Sequence, residues 1–141
     1  MLLKDMMTKD VVTISPEATL KEAGLTLKTK RISGIPVVEN GNIVGVITIT
    51  DIMKIIEEIY RWYELEKTST GLNLSDLVGK ERLNSQVRNT MTKSRYTLDE
   101  DRNVEAVIQL MFTKKIHTIP IMKDNKLVGV IGKRDLAYAC F

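Results

Sequence analysis

Val44-Gly45-Val46-Ile47-Thr48-Ile49-Thr50-Asp51 returns 84 residues later as Val128-Gly129-Val130-Ile131-Gly132-Lys133-Arg134-Asp135. The offset holds further out on the N-terminal side. Ile32-Ser33-Gly34-Ile35-Pro36-Val37 falls on Ile116-His117-Thr118-Ile119-Pro120-Ile121, and Met7-Thr8-Lys9 falls on Met91-Thr92-Lys93. Residues 7–53 align with 91–137 without a gap, and 14 of the 47 pairs are identical. An internal repeat constrains the architecture before any single element does, because both copies must build the same unit. Two copies are too few for a solenoid. They imply a pseudo-twofold pair, with any site lying between the copies or duplicated across them.

Within one copy the pattern reads strand, helix, strand, strand, helix. Val11-Val12-Thr13-Ile14 is β-branched and stops at Ser15-Pro16. Thr19 with Glu22 three residues later is a capping box, and Leu20, Ala23, Gly24 and Leu27 then mark one helical face. Val104, Val107, Ile108 and Met111 repeat that spacing in the second copy. The apolar runs 35–38 and 43–47 flank Glu39-Asn40-Gly41-Asn42, where Asn-Gly signals a hairpin; Asp124-Asn125 replaces it in the second copy. Asp51 opens a helix with Ile52, Ile55, Ile56 and Ile59 on one side, and Asp135 opens a shorter one.

Residues 54–86 have no counterpart. Lys54 to Lys67 extends the Asp51 helix and adds Tyr60, Trp62 and Tyr63; Thr68-Ser69-Thr70-Gly71 stops it. Leu72, Leu74, Leu77 and Val78 follow around a cap at Ser75 or Asp76. Either this stretch packs its aromatics on its own core, or it projects a helix that docks a partner or a second copy. The boundaries are then 1–66 for the first repeat with its extended helix, 67–86 for the linker and 87–141 for the second repeat.

With 141 residues, 43% apolar and 28% charged, the chain can bury a real core. Cys140 is the single cysteine, so no intramolecular disulfide is possible. No signal peptide and no run near the ~18 apolar residues of a membrane span are visible, which points to the cytoplasm. The net charge of +3 divides unevenly. Residues 1–79 hold 9 basic and 11 acidic side chains (−2), and residues 80–141 hold 12 and 7 (+5). That excess favours an anionic ligand but forms no basic run for nucleic acid. Scattered methionines and Cys140 read as core filler.

Met-Thr before a short strand, Ile-x-x-Ile-Pro-Val, and Val-Gly-Val-Ile-Thr-x-x-Asp, repeated in order, resemble a cystathionine β-synthase (CBS) domain, and the pair resembles a Bateman module. Gly45 to Asp51 is particularly similar to the gamma subunit of AMP-activated protein kinase. The resemblance implies an α+β fold of two β-α-β-β-α repeats packed sheet to sheet, with two clefts between them. It implies an adenosine ligand (AMP, ADP or ATP, with S-adenosylmethionine possible) as a regulatory ligand rather than a cofactor. It also implies a homodimer and an effector protein as partner.

Elementary chemistry supports a ribose at Asp51. One carboxylate can accept both vicinal hydroxyls, and Thr48 adds a hydroxyl three residues earlier. Asp51 equally suits a helix N-cap. By the resemblance, His117, Thr118 and Arg134 reach the phosphates facing Thr48 and Asp51. Tyr96, on the second copy's first strand, lies near the adenine, with Ile47 and Ile119 as apolar walls. The second cleft has Asp135 with Val12, Ser33, Gly34, Ile35 and Thr50. It carries Gly132 in place of the threonine and uncharged residues at the phosphate positions, so one strong and one weak site are expected. No metal-ligand spacing, nucleophile elbow or phosphate-binding Gly-Lys loop is present, so no enzyme, catalytic residue or metal is expected. The alternatives are an interaction module with vestigial clefts and, less favoured, a nucleic-acid binder.

Overall fold

The computed structural model describes residues 1–66, 73–94 and 96–141, with the backbone alone over 63–66. In chain order the elements are α1 (Leu3–Met6), α2 (Leu20–Lys30), β1 (Gly34–Glu39), β2 (Asn42–Thr48), α3 (Ile49–Glu66), α4 (Leu74–Val78), α5 (Lys80–Leu83), β3 (Leu98–Asp99), α6 (Val104–Lys114), β4 (Thr118–Lys123), β5 (Lys126–Gly132) and α7 (Lys133–Tyr138), with a 3-10 turn at Val87–Asn89. The fold is mixed α+β in two repeats, as the duplicated pattern requires. The expected helix stop at Thr68-Ser69-Thr70-Gly71, Leu72 and the side chain of Tyr63 lie outside the described residues.

The hairpins form as read. β1 and β2 run antiparallel from Gly34↔Thr48 to Glu39↔Asn42. Asn40 and Gly41 take φ of 52° and 79°, the paired positive values that a tight hairpin turn demands. β4 and β5 repeat the register from Thr118↔Gly132 to Lys123↔Lys126 around Asp124 and Asn125, at 49° and 63°. Both hairpins carry an irregularity at the matching place, Val37/Val38 and Ile121/Met122. The Thr19–Glu22 capping box is present, with both reciprocal bonds at 3.1 Å. In the second copy Asn103 caps α6 instead.

Several expectations change. The strand expected at Val11–Ile14 shrinks to a single parallel bridge of Ile14 with Val37, because Ser15-Pro16 follows at once and proline has no N–H to continue a ladder. Its counterpart β3 has two residues, parallel to β4. Tyr96 lies two residues before β3, not on it. On α6 the buried face is Ala106, Val107 and Met111, while Ile108 is exposed. Asn73, not Ser75 or Asp76, caps α4 and accepts from the Asp76 N–H at 2.9 Å. Cys140 is exposed rather than core filler. α1 lies ahead of the repeated pattern, which begins at Met7.

The chain divides into two compact units: residues 14–93, and residues 1–13 with 94–141. Each hairpin therefore receives the Met-Thr segment that precedes the other repeat. In the second unit Leu3 of α1 is buried with Val107, Met111, Ile119, Ile121 and Ile131. Thr8 bridges Val130 of β5 there. In the unit of residues 14–93, Thr92 bridges Val46 of β2 in the same way. Glycine permits both approaches. A Cβ on Gly45 would meet the Thr92 carbonyl oxygen at 2.6 Å and Met91 Sδ at 2.9 Å, and one on Gly129 would collide with the Met7 side chain. Glu100, nearly buried at the end of β3, is paired with Lys123 Nζ at 3.2 Å. That hydrogen bond holds the Lys123 ammonium above its ordinary pKa.

Candidate functional site

The junction of β2 with α3 concentrates the polar chemistry of the unit of residues 14–93. Thr48 ends β2 and Asp51 occupies the first turn of α3. Asp51 is 5% exposed, and its carboxylate accepts three hydrogen bonds. Oδ2 takes the Thr48 N–H at 2.8 Å and the Thr48 hydroxyl at 3.1 Å, and Oδ1 takes the Thr92 hydroxyl at 2.7 Å. The Asp51 N–H donates back to Thr48 Oγ1 at 3.3 Å. Thr48 is thus the N-cap and Asp51 the reciprocating third residue of a capping box, not the cap itself. The position also places a carboxylate where the helix dipole favours negative charge.

The pseudo-equivalent corner in the other unit is sparser. Asp135 Oδ2 takes the Gly132 N–H at 2.8 Å, and Oδ1 takes the Thr8 hydroxyl at 3.0 Å. Gly132 has no hydroxyl, so only half of the capping box exists there. Asp135 is half-buried where Asp51 is buried.

The remaining candidates divide by unit. Ile47 is fully buried in β2, beside Thr48 and Asp51; Ser33 and Gly34 are half-buried, Ile35 is buried and Thr50 is exposed. The Ser33 carbonyl accepts the Ile49 N–H at 2.9 Å, at the start of α3. In the unit with residues 94–141, Thr118 is buried at the head of β4 opposite Gly132, and Ile119 is in the core. His117 and Arg134 are exposed, Arg134 being in the first turn of α7 next to Asp135. Tyr96 is exposed, with Lys114 Nζ 5.8 Å from its ring centre. Val12 is half-buried. Among the described residues no three His, Cys, Asp or Glu side chains gather in a way that could hold a metal ion, and no helix is long and apolar enough to cross a membrane.

A family model for the CBS domain matches residues 3–58 and again residues 85–141. The chain belongs to the CBS-domain family. Among relatives, the CBS domain-containing protein YhcV of Bacillus subtilis is 31% identical over 135 residues, covering 96% of this chain and 82% of that protein. Inosine-5'-monophosphate dehydrogenase of Methanocaldococcus jannaschii is 34% identical over 134 residues, covering 94% of this chain but only 22% of the enzyme. Several other relatives extend well beyond the match, this CBS pair spanning 37–45% of their length.

Solved structures share the fold. The CBS-domain protein Atu1752 of Agrobacterium tumefaciens superposes with a TM-score of 0.78 at 21% identity, over 100% of both chains. The CBS pair of MJ0100, in complex with 5-methylthioadenosine and S-adenosyl-L-methionine, gives 0.75 at 23% identity over 99% of this chain and 95% of that one. CBSX2 in complex with AMP gives 0.70 at 23% identity with the same coverage.

Thr8 and Thr92 are the residues of this CBS pair that sequence reasoning overlooked. Their signal was present: an identical threonine at the same offset in both copies, outside any apolar face. The repeat pattern places each at the start of its own copy, whereas each threonine hydrogen-bonds the aspartate of the other.

Proposed function

We propose that this CBS pair is a regulatory protein that binds an adenosine nucleotide (AMP, ADP or ATP) with its ribose on Asp51 and Thr48, and signals its occupancy to a partner protein. The Asp51 arrangement carries the reading. A carboxylate offers about four acceptor positions. Three are used here, and two of the three donors are hydroxyls that can turn. A vicinal diol can therefore take the open position and displace one hydroxyl without leaving a backbone donor unpaired. The complexes of fold relatives with AMP and with S-adenosyl-L-methionine share an adenosine and its ribose diol, the part of the ligand assigned to Asp51. On this reading the family pattern gives phosphate contact to His117, Thr118 and Arg134 and adenine contact to Tyr96. Asp135, without a threonine at 132, is the weaker site. The chain acts as a sensor and not as an enzyme, and signalling requires that the ligand bind one conformation more tightly than another.

Thermal unfolding against AMP, ADP, ATP, S-adenosylmethionine and NAD tests this. A ligand at about 100 times its Kd adds about 2.7 kcal/mol, a rise of several degrees for a domain this size. The rise is expected with one adenosine compound and is lost in Asp51→Asn. No rise with any of them would overturn the reading in favour of an interaction module. Titration is expected to give one strong site per chain; two of equal affinity would refute the assigned asymmetry.

A second observation favours self-association. Ile49, Met53 and Tyr60 are 45%, 46% and 66% exposed on α3, with half-buried Ile56 between them. Their 4-3-4 spacing makes an apolar seam of the kind helices bury against one another. Trp62 on the same helix is 57% exposed, so neither it nor Tyr60 is folded into the core. We infer a homodimer through this seam. In sedimentation equilibrium the wild type should run as a dimer and Met53→Glu as a folded monomer. A monomeric wild type at micromolar concentration would refute it.

A further inference from the structure

We propose that Thr92 is the positioning residue of the Asp51 site, so that the segment leading into the second repeat sets the ligand selectivity of the first. The proposal rests on the adenosine reading of Asp51. The geometry behind it is local to the unit of residues 14–93. Thr48 grips only Oδ2 of the carboxylate. The terminal torsion of an aspartate is broad, so a group held by one oxygen can still turn about that anchor. The Thr92 hydroxyl, 2.7 Å from Oδ1, fixes the other oxygen and with it the plane of the carboxylate.

Thr92 is itself held firmly. Its N–H donates to the Val46 carbonyl and its carbonyl accepts the Val46 N–H, both at 2.9 Å. Gly45 lets Met91 and the Thr92 carbonyl sit directly on β2. A diol that bonds both carboxylate oxygens needs that plane fixed, whereas a single hydroxyl does not. Two residues after Thr92, at Ser94, the chain enters the other unit. Thr8 holds Asp135 by the same contact at 3.0 Å, which makes it a matched control.

The test compares wild type, Thr92→Val, Thr92→Ser and Thr8→Val in two measurements. The first, without ligand, is amide hydrogen exchange at Thr48, whose N–H reports how firmly the carboxylate is held. Thr92→Val should speed this exchange, while Thr92→Ser and Thr8→Val leave it near wild type. The second is calorimetric affinity for AMP, ADP and ATP and for their 2′-deoxy forms. Thr92→Val should reduce the preference of the bound nucleotide over its 2′-deoxy form by about tenfold, roughly one hydrogen bond to a charged group, and Thr92→Ser should restore it. An equal loss for both forms would mean a merely structural role and overturn the proposal, as would Thr92→Val with wild-type exchange and wild-type preference. If the wild type binds none of AMP, ADP and ATP, the adenosine reading fails and ligand selectivity fails with it. The exchange result then separately decides whether Thr92 orients Asp51.

Discussion

Asp51→Ala is expected to lower the unfolding free energy by about 2–3 kcal/mol, while Asp51→Asn costs less than about 1 kcal/mol. Alanine removes the acceptor for the Thr48 N–H and for two hydroxyls in a place that is almost closed to water. It also breaks one half of the capping box of an 18-residue helix. Asparagine has the same shape and can satisfy every partner. Its amide oxygen accepts from Thr48, and its amide nitrogen donates to Thr92 Oγ1, since a hydroxyl can accept as well as donate. What asparagine loses is the charge and the second acceptor oxygen, the two properties a ribose diol would use. Denaturant midpoints at unchanged m-value measure the difference. Equal stability of the two variants would show that the three hydrogen bonds do not hold the carboxylate. The comparison also decides how ligand binding must be tested. Alanine confounds lost affinity with lost structure, and asparagine separates them.

Gly45→Ala is expected to destabilise by about 2 kcal/mol, in the range of overpacked cores, and by more than Gly129→Ala. The two glycines are repeat equivalents, yet a methyl group on them meets different atoms. On Gly45 it lands 2.6 Å from the Thr92 carbonyl oxygen, which two backbone hydrogen bonds hold against β2. Relief requires the segment 91–93 to lift, and that withdraws the Thr92 hydroxyl from Asp51. On Gly129 the new methyl meets chiefly Met7 Sδ and Cγ, the movable end of an unbranched side chain. Adding Met7→Ala should therefore recover most of the loss in Gly129→Ala. Adding Met91→Ala should recover little in Gly45→Ala, because the carbonyl remains. Double-mutant cycles on urea unfolding read this directly. Equal rescue at both sites would mean that the backbone approach at Gly45 is not the constraint.

What the chain encodes locally was open to reading. The hairpin turns follow from Asn40-Gly41 and Asp124-Asn125, where positive φ is cheap, and α2 begins at Thr19 because Thr19 and Glu22 satisfy each other's backbone. The repeat itself is a property of the sequence, and with it the CBS family. Short-range chemistry fixes such features within a few residues. Ile108 shows its limit. The helical spacing puts it on the apolar face, but the packing turns α6 so that the small Ala106 is buried instead. For the same reason Asp51, which suits a helix cap by its place in the sequence, is instead the residue that answers one. An aspartate before an apolar helix fits either place, and only the position of Thr48 at the end of β2 decides.

The contacts that shape the candidate site are of another kind. Thr92 lies 41 residues from Asp51 and Thr8 lies 127 from Asp135. No periodicity links such positions. Each pair meets because a Met-Thr segment leaves its own repeat and lies against the glycine of the other hairpin. That exchange is settled by which backbone donors and acceptors at the hairpin edge find partners and by where a missing Cβ leaves room, and both are decided by tertiary structure. By itself the sequence determined two repeats, their hairpins and the helices within each copy, and an aspartate at the same place in each. The tertiary structure alone decided that each aspartate is held by a threonine from ahead of the other repeat, because only folding brings those distant groups within hydrogen-bonding reach.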